Sequence, residues 1–153
     1  MKMIKKYIID GNNLIGKIPE LWNLQKKDKQ ASRIRLVGLL NGFFGQKNVK
    51  VSLHFDGFAG NAIPSGKIKI KYSNNQTADD KIKEEIDLSR NPKVIAVVSS
   101  DNSVYDYARV NSCERIKSEK FAKQLNQKNK NISEEEITKT ISQDEIKKIF
   151  GVE

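Results

Sequence analysis

The chain has 153 residues, with 28 Lys and Arg against 19 Asp and Glu and a formal net charge of +9. That length suits one domain with one core, and 37% hydrophobic with 31% charged residues suits a soluble globular protein. The single cysteine, Cys113, excludes an internal disulfide and argues against a cysteine-based zinc site, and no apolar run is long enough for a signal h-region or a membrane span, so a reducing, cytoplasmic setting is expected.

The elements are read in chain order. "MIKKYIID" is a short β run that ends on Asp10, and "IPELWNL" predicts a short helical turn. "DKQASRIRLVGLLNGFFGQKN" places Ile34, Val37, Leu40, Phe43 and Phe44 at helical spacing, with Asp28 or Ser32 as its start and Gly45 as its stop. "VKVSLHFDG" is a second strand ending at Asp56, and "FAGNAIPSG" is a loop punctuated by Gly and Pro. "KIKIKY" sets Lys67, Lys69 and Lys71 against Ile68, Ile70 and Tyr72, the alternation of a strand with one wet face. Thr77 is the expected N-cap of a helix reaching about Arg90. "PKVIAVVSSD" is a near-continuous apolar run that ends at Asp101, as in a parallel strand covered on both faces. A helix from about Ser103 to Val110, an edge strand near "CERIKS" and a helix from about Glu119 follow. The polar tail, residues 128–153, is read apart from the domain at 1–127. In it Ser133 with Glu136 and Ser142 with Glu145 each fit a capping box, predicting two short helices with a stop near Gly151; a loosely attached tail is the alternative.

Strand–helix alternation predicts a three-layer α/β fold with a mainly parallel sheet, whose working site lies beyond the carboxyl ends of the strands. Asp10, Asp56 and Asp101 all sit at such ends, and Asp79 and Asp80 open the helix after the lysine-rich strand. Like charges gathered on one rim stay ionised only beside a cation, and carboxylate oxygens suit Mg²⁺ or Mn²⁺. Such an ion can activate a water for attack on a phosphate. The net positive charge points to a polyanionic partner, most simply nucleic acid. Gly11 is expected to let the backbone turn tightly beside Asp10, and Asn13 to orient a ligand, a water or a neighbouring acid.

"IIDGNNLIG", "HFDG", "TADDKI" and "VVSSDNSVYDYA", in that order, resemble the successive motifs of the YacP-like NYN domains of the PIN-like nuclease superfamily. "ASRIRLVGLL" between the first two and "IKSEKFAKQL" after the last fit the same spacing. The resemblance implies a PIN-like, Rossmann-like fold and a metal-dependent endoribonuclease acting on single-stranded RNA. Its YacP-like members are associated with ribosomes and translated mRNA. Carried over by position, it implies Asp10, Asp79 and Asp101 as catalytic and metal-binding acids, with Asn13, Asp56 and Asp80 in support. Many PIN-like sites carry a second acid two residues after the one at the fourth strand; here that position is Ser103, and Asp106 lies one helical turn further on.

Plainer roles compete with these. Asp79 and Asp101 also suit helix N-termini, and Asp80 suits one better than a ligand role. His54 is expected in the core, Trp22 and Phe43–Phe44 in the core before base stacking, and Cys113 as a passive thiol. Lys67, Lys69 and Lys71 are the leading RNA contacts, against a solvated strand face. Three function classes follow: a metal-dependent endoribonuclease, an RNA- or ribosome-binding module of the same fold without cleavage, and, last, an aspartyl-phosphate phosphohydrolase, which wants a second acid where "DGNN" has asparagine.

Overall fold

The computed structural model of the chain describes residues 3–139, and its central strand, β1 (Lys6–Asp10), is the "KYIID" run. Ile8 and Ile9 point to opposite faces and both are fully buried, so β1 is covered on both sides. Then come α1 (Gly11–Ile15), α2 (Pro19–Lys27), α3 (Lys29–Phe44), β2 (Lys50–Phe55) and β3 (Ile68–Tyr72). The second half holds α4 (Ala78–Asp87), a 3₁₀ turn over Pro92–Val94, β4 (Ile95–Val98), α5 (Asn102–Val110), β5 (Glu114–Ile116) and α6 (Ser118–Lys139).

The strands lie in the order β3-β2-β1-β4-β5, and every pairing is parallel. The chain builds outward from β1 to β3, then crosses back to the other side of β1. Strand order therefore reverses between β1 and β4, and a crevice opens beyond their carboxyl ends. One apolar layer joins Ile9, Leu36, Leu40, Phe44, Leu53 and Phe121 under α3 and α6. The other joins Ile8, Ile82, Ile86, Val97 and Val104 under α4 and α5. The three-layer α/β expectation holds, with a sheet that is wholly parallel among the described residues.

Local differences have local reasons. "PELWNLQKK" is a full helix with Pro19 at its first position, where a missing N–H costs nothing. Asp28 caps α3 by accepting the Ala31 N–H at 3.0 Å. Ile34 is 45% exposed because the buried stripe of α3 runs through Arg33, Leu36, Val37, Leu40 and Phe44 instead. Arg33 holds its inward place by laying its guanidinium 4.7 Å over the Phe55 ring and donating to the Asp56 carbonyl at 2.9 Å. Phe43 and Phe44 join the aromatic core around Phe121, but Trp22 is 43% exposed, with the Lys26 ammonium 5.3 Å above its ring. His54 is buried, as expected, and Cys113 is buried too.

Gly11 opens α1 rather than a tight turn. A β-carbon there would lie 2.7 Å from both the His54 carbonyl oxygen and the Phe55 ring, so glycine is demanded by the closeness of α1 to β2. The tail differs too. Helix α6 runs unbroken from Ser118 to Lys139, through residue 127, so no new helix starts at Ser133. An N-cap needs extended backbone, and here the preceding turns continue into Ser133 in helical geometry. The Ser142–Glu145 box and Gly151 lie outside the described residues.

Candidate active site

Asp10 ends β1 at the mouth of the crevice and is only 8% exposed. A buried carboxylate requires partners. The Ser99 hydroxyl donates to Asp10 Oδ2 at 2.9 Å, and a backbone hydrogen bond comes from Asn13. Burial nevertheless raises the carboxyl from 3.8 to about 6, against the pull of those two bonds, and the like charges of Asp56 and Asp101 add to the rise.

The two asparagines after Gly11 hold the turns that carry those acids. Asn12 Oδ1 accepts the Asp56 N–H at 2.9 Å. Asn13 Oδ1 accepts the Ser100 N–H at 2.8 Å and the Ser118 hydroxyl at 2.6 Å. The five-residue helix α1 thus ties β1 to the loops after β2 and β4 and to the start of α6. The Asn13 amide orients the Ser100 backbone and the Ser118 hydroxyl, where a ligand, a water or a neighbouring acid was expected, and Asn12 was not anticipated.

Asp56 lies just past β2, and its Oδ1 accepts the Ala78 N–H of α4 at 2.8 Å. Asp101 is the N-cap of α5, accepting the Val104 N–H at 3.2 Å, while its own N–H donates to Ser99 Oγ at 3.1 Å. Ser99 therefore bridges Asp10 and Asp101. Asp79 stands in the first turn of α4, paired with Lys83 at 3.2 Å. Lys83 also donates to Ser103 Oγ at 2.5 Å, at the position where a further acid was sought. Asp80 closes a capping box with Thr77, each side chain accepting the other's backbone N–H at 3.1 and 3.4 Å. Asp10, Asp79 and Asp101 all lie at the carboxyl edge of the sheet. Of the acids, Asp56 and Asp101 act electrostatically on Asp10, whereas Asp79 faces a lysine.

The lysines of the β3 segment are largely engaged elsewhere. The Lys67 ammonium donates to the Phe44 carbonyl at 3.0 Å and to the Lys47 carbonyl, closing the C-terminal end of α3. Lys71 pairs with Glu85 at 3.2 Å, and Lys69 is exposed. Glu85 is the hub of that face. It also takes the Lys6 ammonium at 2.5 Å, His54 Nε2 at 2.7 Å and the Ser52 hydroxyl at 2.7 Å. Ser99, Ser100, Ser118 and Glu85 carry no signal in the sequence, since lone hydroxyls and a mid-helix glutamate match no spacing rule.

The donor set at Asp10 suits a hard divalent cation: oxygen ligands only, and a carboxyl whose ionisation is resisted by burial and by two neighbouring acids. No three acid, histidine or cysteine side chains among the described residues converge closely enough to enclose an ion. The fit is therefore to an open site, in which water and substrate oxygens complete the shell.

Comparison with known proteins agrees with this architecture. The fold is similar to the crystal structure of Rae1 (YacP) from Bacillus subtilis, with a TM-score of 0.80 and 19% sequence identity, covering 97% of this chain and 88% of that one. A point mutant of the same protein aligns with a TM-score of 0.74 and 18% identity, covering 91% and 85%. No curated protein matches the sequence. The YacP-like NYN domain matches residues 7–150, nearly the whole chain, and the protein belongs to that family.

Proposed function

We propose that this domain is a metal-assisted endoribonuclease that hydrolyses single-stranded RNA in the crevice between β1 and β4, with ribosome-engaged mRNA as its substrate and the cytoplasm as its setting. The observation that carries the reading is Asp10, a buried carboxylate at the switch point of a nuclease-family sheet, under the influence of Asp56 and Asp101. Asp10 and Asp101 would hold Mg²⁺ or Mn²⁺, with Asp79 joining them once it gives up Lys83. When bound, such an ion acidifies a water and offsets phosphate charge. Hydrolysis joins the water oxygen to phosphorus and breaks the bond to a ribose oxygen, which takes a proton from solvent as it leaves. Asp10, ionised at neutral pH, is available to hold the cation, and the proton that the water loses passes to solvent. Ser99 fixes Asp10 and the Asp101 backbone together, and Asn12 and Asn13 hold the flanking loops. The YacP-like resemblance supports translated mRNA as the target.

The Asp79–Lys83 pair and Ser103 favour a second reading, a module that binds RNA without cutting it. Incubation with single-stranded RNA in Mg²⁺, in Mn²⁺ and in chelator, with mapping of the ends, separates the two. Internal cuts that need metal are expected; retention of RNA without any cut under all three conditions establishes the binding module instead.

Phe58 lies two residues past Asp56 and is 63% exposed. Two residues of chain keep it within about 7.6 Å of Asp56, Cα to Cα. Its turn is fixed: the Gly57 N–H donates to Ser73 Oγ at 2.9 Å, and the Gly57 carbonyl accepts the Asn74 N–H at 2.8 Å. A held turn with an outward ring suits stacking on an unpaired base. Phe58→Ala is expected to weaken single-stranded RNA binding about tenfold, from a stacking contribution of roughly 1–3 kcal/mol. Anisotropy titrations should show no comparable loss for duplex RNA, whose bases are already stacked; equal losses for both would remove Phe58 from the site.

A further inference from the structure

We infer that the RNA strand reaches the crevice through the cleft between the α1–α2 link and α6, gripped by Lys17, Lys117 and Lys123, and not along β3. This rests on the nuclease reading and gives its substrate a path.

The cleft encloses about 320 Å³ and is lined by Lys17, Ile18, Glu119, Lys123 and Asn126, among others. Its wall is continuous with the site. Glu119 accepts the Ser100 hydroxyl, that hydroxyl accepts the Ser118 N–H at 2.9 Å, and Ser100 is the residue before Asp101. Lys17 and Lys117 gather around the same carboxylate. The hydrogen bond from Ser100 is the main cause holding Glu119 below its ordinary range, and the charges of both lysines add to it. The other acid on the cleft, Glu20, is paired with Arg35 at 3.3 Å. Lys17 and Lys123 line the cleft and Lys117 acts on Glu119 from beside it, while both acids of the lining are already engaged, so the excess is positive.

Lys117 is also placed. Its ammonium lies 3.9 Å from the centre of the Tyr105 ring, and the Arg115 guanidinium lies 4.0 Å from it. Both positive groups therefore stand beside α5, the helix that Asp101 caps. The β3 alternative lacks this freedom: Lys67 is bound to two carbonyls and Lys71 to Glu85. A polyanion drawn to Lys67 or Lys71 would have to break bonds that hold the fold, whereas in the cleft it meets Lys17 and Lys123, both exposed, with the half-buried Lys117 beside them.

The test is a salt titration. A fluorescein-labelled oligouridylate is bound to wild type in chelator, so that cleavage does not intervene, and to two variants. For Lys17→Ala/Lys117→Ala/Lys123→Ala, affinity at low salt should fall at least tenfold. The log–log salt slope should flatten by about 0.7 for each phosphate that is no longer neutralised. Lys69→Ala/Lys71→Ala should keep the wild-type slope. If taking the Lys117 ammonium away from the Tyr105 ring disturbs α5, Lys17→Ala/Lys123→Ala carries the same expectation at smaller amplitude. Arginine at the three positions should restore the slope. A wild-type slope in the cleft variants, with flattening in the β3 variant, overturns the path while leaving the nuclease reading standing. Failure of the wild type to bind or cut RNA at any salt overturns both.

Discussion

Replacing Asp10 by asparagine is expected to abolish RNA cleavage and, at neutral pH, to make the protein more stable. Asparagine keeps the shape and an oxygen for the Ser99 hydroxyl but removes the charge. The folded carboxyl titrates at about 6, above its ordinary 3.8, so the fold prefers the protonated form. Below 3.8 both folded and unfolded chains are protonated and the charge costs nothing. As pH rises from 3.8 to about 6 the unfolded chain ionises first, stability falls, and above that range the full penalty stands. A displacement of about two units corresponds to roughly 3 kcal/mol. For a domain of this size that is about 6–12 °C in melting temperature. The gain of Asp10→Asn over wild type should be largest near pH ~7.5 and shrink towards pH ~4. Melting curves across that range, beside cleavage assays in Mg²⁺ and Mn²⁺, give both readings. A variant that still cuts removes Asp10 from the chemistry; one no more stable at the alkaline end removes the strain assigned to it.

Glu85 should behave in the opposite sense. Its side chain is 9% exposed and is met by Lys6, Lys71, His54 and Ser52. Burial alone would raise its carboxyl, but hydrogen bonds from His54, Lys6 and Ser52 outweigh that and hold it well below the usual range. Removing one partner of a buried charged set leaves the others uncompensated, a loss of about 3–5 kcal/mol. Glu85→Ala is therefore expected to lower the melting temperature by roughly 10 °C or more. A depressed carboxyl contributes stability above its unfolded value of 4.5, and that contribution disappears as pH falls below it. Wild type should thus lose stability steeply below pH 4.5, and Glu85→Ala should show a flatter acid limb. Equal acid limbs would mean that the cluster adds nothing to the fold. Asp10 and Glu85 are both buried carboxyls; hydroxyl and backbone donors alone do not offset burial at the first, and two lysines and a histidine do at the second.

What the sequence disclosed follows from what periodicity can carry. Strand ends are visible, so Asp10, Asp56 and Asp101 could be placed on one edge before any coordinates. Alternation on β3 assigned Lys69 and Lys71 to one face, but not what covers that face, and Glu85 on α4 arrives from outside the strand's own pattern. Helix α1 is five residues long, below the length at which a helical period can be read. Gly11 looked like a turn residue because the backbone of β2 that crowds it lies more than forty positions away. Asn12 and Asn13 were noticed as polar residues after a strand. Their partners are backbone groups of Asp56 and Ser100 and the hydroxyl of Ser118, and such partners leave no trace in composition.

The hydrogen bonds that assemble the crevice are among the most distant in the chain. Ser99 reaches Asp10 across 89 positions, and Ser118 reaches Asn13 across 105. The strand synthesised first is the central one, and it has neither neighbour until β2 and then β4 have been made. A chain still emerging from the ribosome therefore carries Asp10 without Ser99 to hold it, without Asp101 beside it and without α6 to close the cleft. Loops of this span close late in folding, because their entropy must be given up before any interaction offsets it. A nuclease of the proposed kind would thus be unable to cut while it is being translated, even though the message that encodes it is the RNA nearest to hand. On that reading cleavage would begin only after synthesis has passed Ser118, and the connectivity of the sheet would work as a timer that spares its own transcript.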